Sequence, residues 1–92
     1  MIGANCLIFH GVTIGGMLKD GRMQVPSIGD NVVIFAGAKV IGDVRIGNNV
    51  VIGANAVVTH DVEDNAVVAG IPAKTISMKG KEISEQYAKG KI

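Results

Sequence analysis

The chain is short, close to neutral and poor in aromatic residues. Its 92 residues are enough for one small domain with a modest core, but too few for a sizeable enzyme pocket formed by one copy alone. The net charge of +1 argues against a nucleic-acid partner or an anionic membrane surface. We find neither a signal peptide nor an apolar run that could span a bilayer, and the single cysteine, Cys6, cannot form an internal disulfide. We therefore expect a protein of the reducing cytoplasm.

An aliphatic residue recurs at every sixth position along most of the chain. This first position of the repeat holds Ile2, Ile8 and Ile14 and, after a break, Ile28, Ile34, Val40, Ile46, Ile52 and Val58. The fifth position holds small or β-branched residues, namely Cys6, Val12, Val32, Ala38, Val44, Val50, Ala56 and Val62. Glycine often fills the second position, with Asn or Asp beside it in "IGDN", "IGNN" and "IGAN".

A period of six predicts short strands joined by sharp turns, because Gly, Asn and Asp tolerate the positive φ that such corners need. One coil of this kind cannot bury its interior face alone, so consecutive coils should stack into a continuous parallel β-helix over residues 1–75. An amphipathic helix would need spacings of three and four, which are not sustained. The alternative is an antiparallel sandwich of short strands, which would show variable strand lengths instead of a fixed period.

The repeat breaks once, at "GMLKDGRMQVPS", residues 16–27. This polar segment contains Gly and Pro and predicts a loop extruded between coils. Loops on rigid repeat scaffolds often carry function, and His10 lies only one hexad before this one. A tolerated surface excursion is the alternative.

After the repeat the chain continues into a Lys-rich tail, residues 76–92. Its segment "KEISEQYAKGK" has modest helical character, because Glu85 and Lys89 have a favourable i, i+4 spacing and Gly90 provides a stop. The tail is expected either to cap the last coil or to extend loosely from it.

The hexads, "HGVTIGG", the loop, "FAGAK" and "AGIPAK" together resemble the C-terminal part of a hexapeptide-repeat acyltransferase, over roughly residues 2–75. The type most resembled is serine O-acetyltransferase, with similar acetyltransferases of bacterial polysaccharide synthesis. The resemblance implies an all-β domain, a left-handed parallel β-helix, assembled as a homotrimer with acetyl-CoA in clefts between subunits. It also implies direct transfer, in which a histidine acts as general base on a hydroxyl of serine or a sugar. Imidazole suits this task because it titrates near neutral pH.

His10 is the candidate base, although the resemblance does not assign it that role. The family's catalytic histidine lies in a His-x-x-Gly segment about one coil before "VTIGG", where this chain has not begun, and an Arg-His pair before the loop proline reads Gln24-Val25 here. His10 either contacts the acceptor as a base or is a corner histidine with local hydrogen bonds. Its carboxylate partner, Asp20 or Asp43 of a neighbouring chain, is not identified by spacing.

The resemblance also assigns cofactor positions, since the family binds the pantetheine arm of acetyl-CoA along the coil edge. The matching residues are Ala36 and Gly37 in "FAGAK" and Ala54 in the turn 53–55. Lys74 resembles a basic residue near the CoA phosphates, or is a solvated lysine at the start of the tail. Gly15 and Gly16 either allow close approach of the ligand or turn the chain into the loop.

Two functions therefore remain open from the sequence. The first is an acetyl-CoA-dependent O-acetyltransferase that uses His10. The second is a non-catalytic, truncated β-helix fragment that serves as a structural or interaction module, because an open first coil invites pairing. We expect no metal site, since no His and Cys cluster has zinc-ligand spacing.

Two further residues are interpreted structurally. His60 and Asp61 are adjacent, and adjacent strand residues point to opposite faces, so a solvated corner is favoured over a catalytic pair. Cys6 takes an inward repeat position and is interpreted as a small core residue and not as a nucleophile.

Overall fold

The structure is a computed structural model that describes residues 1–88, and these form twelve strands and one helix. The strands are β1 (Leu7–Ile8), β2 (Thr13–Gly15), β3 (Met17–Lys19), β4 (Arg22–Gln24), β5 (Ser27–Ile28), β6 (Val33–Ile34), β7 (Lys39–Ile41), β8 (Arg45–Ile46), β9 (Val51–Ile52), β10 (Val57–Val58), β11 (Val67–Ala69) and β12 (Lys74–Ser77). The helix is α1 (Gly80–Ala88). Lys89 and Gly90, used above to predict a helical pair and its stop, lie outside the described residues.

The chain winds into stacked coils with three faces. The first face orders β1, β6, β9 and β11 in parallel, and β12 joins its edge antiparallel to β11. The second face orders β2, β7 and β10, and the third pairs β5 with β8. We number the coils by the first face, so that coils 1 to 4 contain β1, β6, β9 and β11. Parallel pairing between successive coils confirms the predicted stack and excludes the antiparallel sandwich.

The hexad residues form the core of this stack. From residue 28 onward the first and fifth positions are all buried, namely Ile28, Val32, Ile34, Ala38, Val40, Val44, Ile46, Val50, Ile52, Ala56, Val58 and Val62. In coil 1 the same positions are more open, and Ile2 and Ile8 keep 46% and 42% of their surface exposed. Within residues 1–88 that coil has a neighbouring coil on one side only, which explains the difference.

Residues 16–27, predicted as a loop, contain an antiparallel hairpin of β3 and β4. Its tip is Asp20-Gly21, with φ of 51° and 76° at the two residues. Two successive positive φ values are those of a type I′ turn, for which Asp-Gly is a preferred sequence. The dipeptide "DG" was therefore a hairpin signal within the predicted loop.

One corner carries a ladder of side chains that bond across the coils. The main-chain N–H of Ala4 donates to Asp30 Oδ1 at 2.9 Å, 26 residues away. The N–H of Asp30 donates to Asn48 Oδ1 and that of Asn48 to Asp64 Oδ1, each at 2.8 Å, over 18 and 16 residues. The separation of 18 residues equals one coil of three hexads. The separation of 26 residues is longer because it includes the hairpin, and that of 16 residues spans a shortened coil.

The glycines beside this ladder were predicted to supply positive φ, but they instead allow neighbouring coils to approach closely. A Cβ added at any of these glycines would overlap the side-chain oxygen of a residue in the next coil. The pairs are Gly3 with Asp30, Gly29 with Asn48, and Gly47 with Asp64. The positive-φ glycines are Gly11, Gly21, Gly37, Gly42 and Gly70, so the second-position glycines are not among them. The prediction that glycine in this position supplies positive φ was therefore wrong, because the coils approach too closely there for any side chain.

Asparagine supplies the positive φ at the same corner. Asn5, Asn31, Asn49 and Asn65 occupy equivalent turns, with φ between 58° and 66°. Asn adopts this left-handed conformation more readily than other residues with a Cβ, because its short polar side chain bonds locally. This part of the turn prediction is confirmed.

Helix α1 is fastened to this asparagine corner. The Gly80 N–H donates to the Asn65 carbonyl oxygen at 2.9 Å, and a Cβ at Gly80 would meet the main-chain oxygens of Asn49 and Asn65. One turn later the buried Ser84 hydroxyl donates to the Asn31 carbonyl oxygen. The helix thus runs back along the stack from coil 4 towards coil 1. Its nine residues are about 13 Å long, close to the roughly 14 Å of three inter-strand steps.

An outward apolar row on the first face receives the helix. Ile83 and Tyr87 pack against this row, which consists of Val33, Val51 and Val67. In the described part of the tail, Ser77 pairs with Val67 at the edge of the last coil, and only α1 extends away from that coil. It lies across a side of the stack, because three valines one coil apart form an apolar stripe there.

Candidate functional site

Three of the candidate residues stack at one corner of the coil. His10, Ala36 and Ala54 follow β1, β6 and β9 at the same turn of coils 1, 2 and 3. The Gly37 N–H donates to the His10 carbonyl oxygen at 3.1 Å, and the Asn55 N–H donates to the Ala36 carbonyl oxygen at 3.0 Å. Residues 10–11, 36–37 and 54–55 are termed the His10 corner below.

Backbone conformation explains the small residues at this corner. Gly11, Gly37 and Asn55 have φ of 71°, 75° and 59°, so each coil turns here through a left-handed residue. A Cβ at Gly37 would also meet Asn55 Oδ1. The turn is therefore tight, and beyond coil 1 its exposed side chains are those of Ala54 and Asn55, while Ala36 is half-buried.

His10 itself is exposed, as its outward hexad position predicts. The carboxylates considered as its partners lie at the other end of the second face. Asp43 follows Gly42, whose N–H bonds the Gly15 carbonyl oxygen at 3.0 Å, and Asp20 is at the hairpin tip. Both line a pocket beside the hairpin. One chain therefore does not bring either carboxylate to His10.

Gly15 and Gly16 are also separated from the His10 corner, by the length of β2. Gly15 ends β2 opposite Ile41, and a Cβ there would make only ordinary contacts. At Gly16 a Cβ would be 2.7 Å from Met23 Sδ and 2.9 Å from the Gln24 oxygen. Gly16 therefore lets the hairpin fold back closely on the coil.

Lys74 lies at the opposite end of the stack from His10. It is exposed, and it pairs in β12 with Ala69 of coil 4. Ala69 is next to coil 3, since a Cβ at Gly53 would be 3.3 Å from the Ala69 Cβ. His10 and Lys74 therefore mark the first and last coils, with the small residues of the His10 corner between them.

Sequence reasoning assigned no role to two features of this corner. Lys39, the last residue of "FAGAK", directs its ammonium to the Gly37 carbonyl oxygen at 3.4 Å. Phe9 and Phe35 immediately precede His10 and Ala36, and their ring centroids are 5.2 Å apart. Phe9 and Phe35 are separated in sequence by one coil plus the hairpin, as His10 and Ala36 are, so the repeat predicts that they stack.

The remaining candidates behave as structural residues. His60 Nδ1 is 3.1 Å from Thr59 Oγ1, and Asp61 accepts the Arg45 N–H at 2.8 Å instead of contacting His60. The half-buried Cys6 packs against the core and donates through Sγ to the Gly29 oxygen at 3.3 Å. Both observations agree with the structural interpretations given above.

Three pockets of residues 1–88 lie away from the His10 corner. One of about 440 Å³ contains Asp61, Glu63 and Asp64, one of about 500 Å³ borders the hairpin, and one of about 330 Å³ separates α1 from coil 1. None of these is lined by His10 or Lys74.

The described part of the chain holds no group of three or more His, Cys, Asp and Glu residues that could bind a metal. Its one helix is too short to cross a membrane.

Comparison with known proteins identifies the fold family. Residues 26–60 match the model of the bacterial transferase hexapeptide (six repeats). The chain is 45% identical over 86 residues to a serine acetyltransferase of Staphylococcus xylosus, covering 94% of this chain and 40% of that protein. The chain thus spans about two fifths of the length of such curated relatives.

Solved structures agree with the sequence matches. A serine acetyltransferase of Neisseria gonorrhoeae superposes with a TM-score of 0.75 at 48% identity, over 79% of this chain and 28% of that one. A galactoside acetyltransferase in complex with coenzyme A gives 0.71 at 35% identity, over 85% and 44% of the two chains. The chain therefore contains the bacterial transferase hexapeptide repeat over residues 26–60, and it is similar to a part of serine acetyltransferases.

Proposed function

We propose that this chain provides the acetyl-CoA site of an O-acetyltransferase that transfers acetyl to a hydroxyl of serine or a sugar. The main support is the His10 corner, where His10, Ala36 and Ala54 of coils 1, 2 and 3 lie in a single row. The similarity to serine acetyltransferases, and to a galactoside acetyltransferase solved with coenzyme A, supports the same activity.

The dimensions of the corner fit an extended cofactor arm. Neighbouring coils are about 4.8 Å apart, so the distance from coil 1 to coil 4 is roughly 14 Å. Along it, Ala36, Gly37 and Ala54 carry a methyl group or no side chain, which would leave room for a thin pantetheine arm. The exposed ammonium of Lys74, at the coil 4 end, would pair with the phosphates of the nucleotide. In this arrangement the thioester lies at the coil 1 end, beside His10.

His10 would then act as the general base. A neutral imidazole nitrogen takes the proton of the acceptor hydroxyl while that oxygen attacks the thioester carbonyl. The carbon–sulfur bond breaks, the acetyl group passes to the acceptor oxygen, and coenzyme A leaves as a thiol after receiving a proton. Gly15 and Gly16, at the start of the hairpin, would border the acceptor side.

The proposed assembly is a homotrimer of left-handed coils in the cytoplasm, with acetyl-CoA held between neighbouring subunits. Helix α1 covers the first face through Ile83 and Tyr87. Contacts between subunits would therefore use the second and third faces and the hairpin, whose Leu18 and Met23 are 69% and 63% exposed.

The same exposed hairpin residues favour one alternative, a non-catalytic interaction module. Apolar side chains on a projecting element commonly contact another protein. In this second candidate function the His10 corner would be a structural turn and acetyl-CoA would not bind.

Calorimetric titration with acetyl-CoA, with the mass of the same sample measured by sedimentation, separates the two functions. We expect saturable binding by a trimer with one site per subunit. Ala54→Leu should weaken it at least tenfold by filling the corner with a larger side chain. Ala4→Leu is the matched control, because Ala4 is exposed in an identical "IGAN" turn at a different corner. A folded trimer that does not bind, or equal losses in both variants, would overturn the proposal and leave the interaction module.

A further inference from the structure

All three aromatic residues of the chain meet at one place. The Tyr87 ring of α1 lies edge-on to Phe35, with centroids 5.4 Å apart, and to Phe9, with centroids 6.2 Å apart. Phe9 and Phe35 also contact one another, tilted by 40°. Edge-to-face and tilted contacts at these separations are favourable for aromatic rings. The cluster thus joins coil 1, coil 2 and the helix.

This cluster directly precedes the His10 corner. Phe9 is bonded to His10, and Phe35 to Ala36. The Phe9 N–H donates to the Ile34 oxygen at 3.0 Å, so the backbone is paired up to the corner. The orientation of each phenylalanine therefore limits where the following corner residue can lie.

The position of Tyr87 is set from the far end of α1. Gly80 is held by Asn65, and the buried Ser84 by Asn31, in coils 4 and 2. Ile83 packs on the outward valines between these points. A helix anchored in this way holds Tyr87 against the rings instead of allowing it to swing away from the first face.

We infer that Tyr87 is a positioning residue for the acetyl-transfer site and that it acts through Phe9 and Phe35 on His10 and Ala36. The inference rests on the proposed function for its chemical meaning. Its structural part does not depend on that function. Without the Tyr87 ring, the hydrogen bonds of the His10 corner should open locally while the other coils stay paired.

Amide hydrogen exchange of the purified chain tests this directly. The Gly37 N–H reports on the His10 turn and the Asn55 N–H on the Ala36 turn, because each donates to the carbonyl oxygen of that residue. The Asn49 N–H, which donates to Asp30 at the asparagine corner, is the internal reference. In Tyr87→Ala we expect exchange at Gly37 and Asn55 to rise about tenfold relative to Asn49.

Two further variants separate positioning from loss of stability. Tyr87→Phe keeps the ring and should show the exchange rates of the unsubstituted protein. Val44→Ala removes a buried side chain elsewhere in the core and should raise exchange at all three amides together. Equal increases at the three amides in Tyr87→Ala, or no increase at Gly37, would overturn the inference.

Acetyl transfer gives a second readout. Tyr87→Ala should lower kcat at least tenfold, and Tyr87→Phe should restore it. Failure of the proposed function would appear in the unsubstituted protein as absence of acetyl-CoA binding, whatever the exchange rates. Failure of the positioning role would appear as undisturbed Gly37 exchange in Tyr87→Ala, whether or not the protein is an enzyme.

Discussion

The hydroxyl of Ser84 donates a hydrogen bond to the carbonyl oxygen of Asn31 at 2.5 Å, across 53 residues of sequence. Asn31 is a left-handed corner residue of coil 2, and Ser84 is the most deeply buried polar side chain of the described chain, at 4% exposure. This bond fastens the middle of α1 to the coil. Helix α1 is therefore part of the folded unit.

Ser84→Ala should lower the free energy of unfolding by about 1–2 kcal/mol, because a buried carbonyl oxygen loses its donor. The change is measured by urea denaturation. Ser27→Ala, at an exposed serine of β5, should stay within about 0.5 kcal/mol of the unsubstituted protein. Equal effects of the two substitutions would contradict a structural bond at Ser84.

Gly29→Ala should destabilise the chain by about 1–3 kcal/mol, because the added Cβ overlaps Asn48 Oδ1 and crowds the Gly47 backbone. Gly15→Ala should be neutral or stabilising, since its Cβ would be 3.8 Å from Ile41 Cδ1 and the unfolded chain would lose freedom. Thermal unfolding of both variants checks the difference. A Gly29→Ala variant as stable as Gly15→Ala would show that the coils separate easily.

Asn65 offers a test of why asparagine occupies the corners. Its Oδ1 is buried without a hydrogen-bond partner among residues 1–88, and its φ is 66°. Asn65→Gly removes this oxygen and keeps the backbone relaxed, whereas Asn65→Ala removes the oxygen but retains the left-handed strain of about 1–2 kcal/mol. We expect the glycine variant to unfold at a higher urea concentration than the alanine variant. The reverse order would show that backbone strain does not dominate at this turn.

Lys74→Gln should weaken acetyl-CoA binding about twofold to fivefold, because an exposed ion pair contributes little free energy. The loss should shrink at high salt, which screens exposed charges. Lys81→Gln removes an exposed charge from α1 and is the matched control. Binding of S-acetylpantetheine, which lacks the nucleotide phosphates, should be the same in both variants. An equal loss for S-acetylpantetheine would exclude a phosphate contact at Lys74.

His10→Asn should lower the rate of acetyl transfer by about a hundredfold or more, which is the usual contribution of a general base. The acetyl-CoA dissociation constant should change less than about twofold, since the base acts on the acceptor. His60→Asn substitutes the only other histidine and should leave both quantities unchanged. Transfer that survives in His10→Asn would make His10 a corner residue only.

Much of the fold follows from local pattern. The hexads identify which side chains are buried from Ile28 to Val62, because a fixed period of six places them at equivalent points of every coil. The hairpin lies at residues 16–27, where the period of six is interrupted, because residues inserted between coils cannot take equivalent positions in the stack. His10, Ala36 and Ala54 could be assigned to one corner because they differ by whole coils plus the insertion.

Other relationships depend on contacts between distant segments, which a local period does not encode. The close approach of the coils at Gly29, for example, depends on the Asn48 side chain of the next coil. The sequence by itself determined the coil, its core and the row of corner residues, since these repeat along the chain. Only the tertiary structure decided that α1 covers the outward valines and brings Tyr87 to Phe9 and Phe35, because the docking of a helix depends on the shape of a complete face.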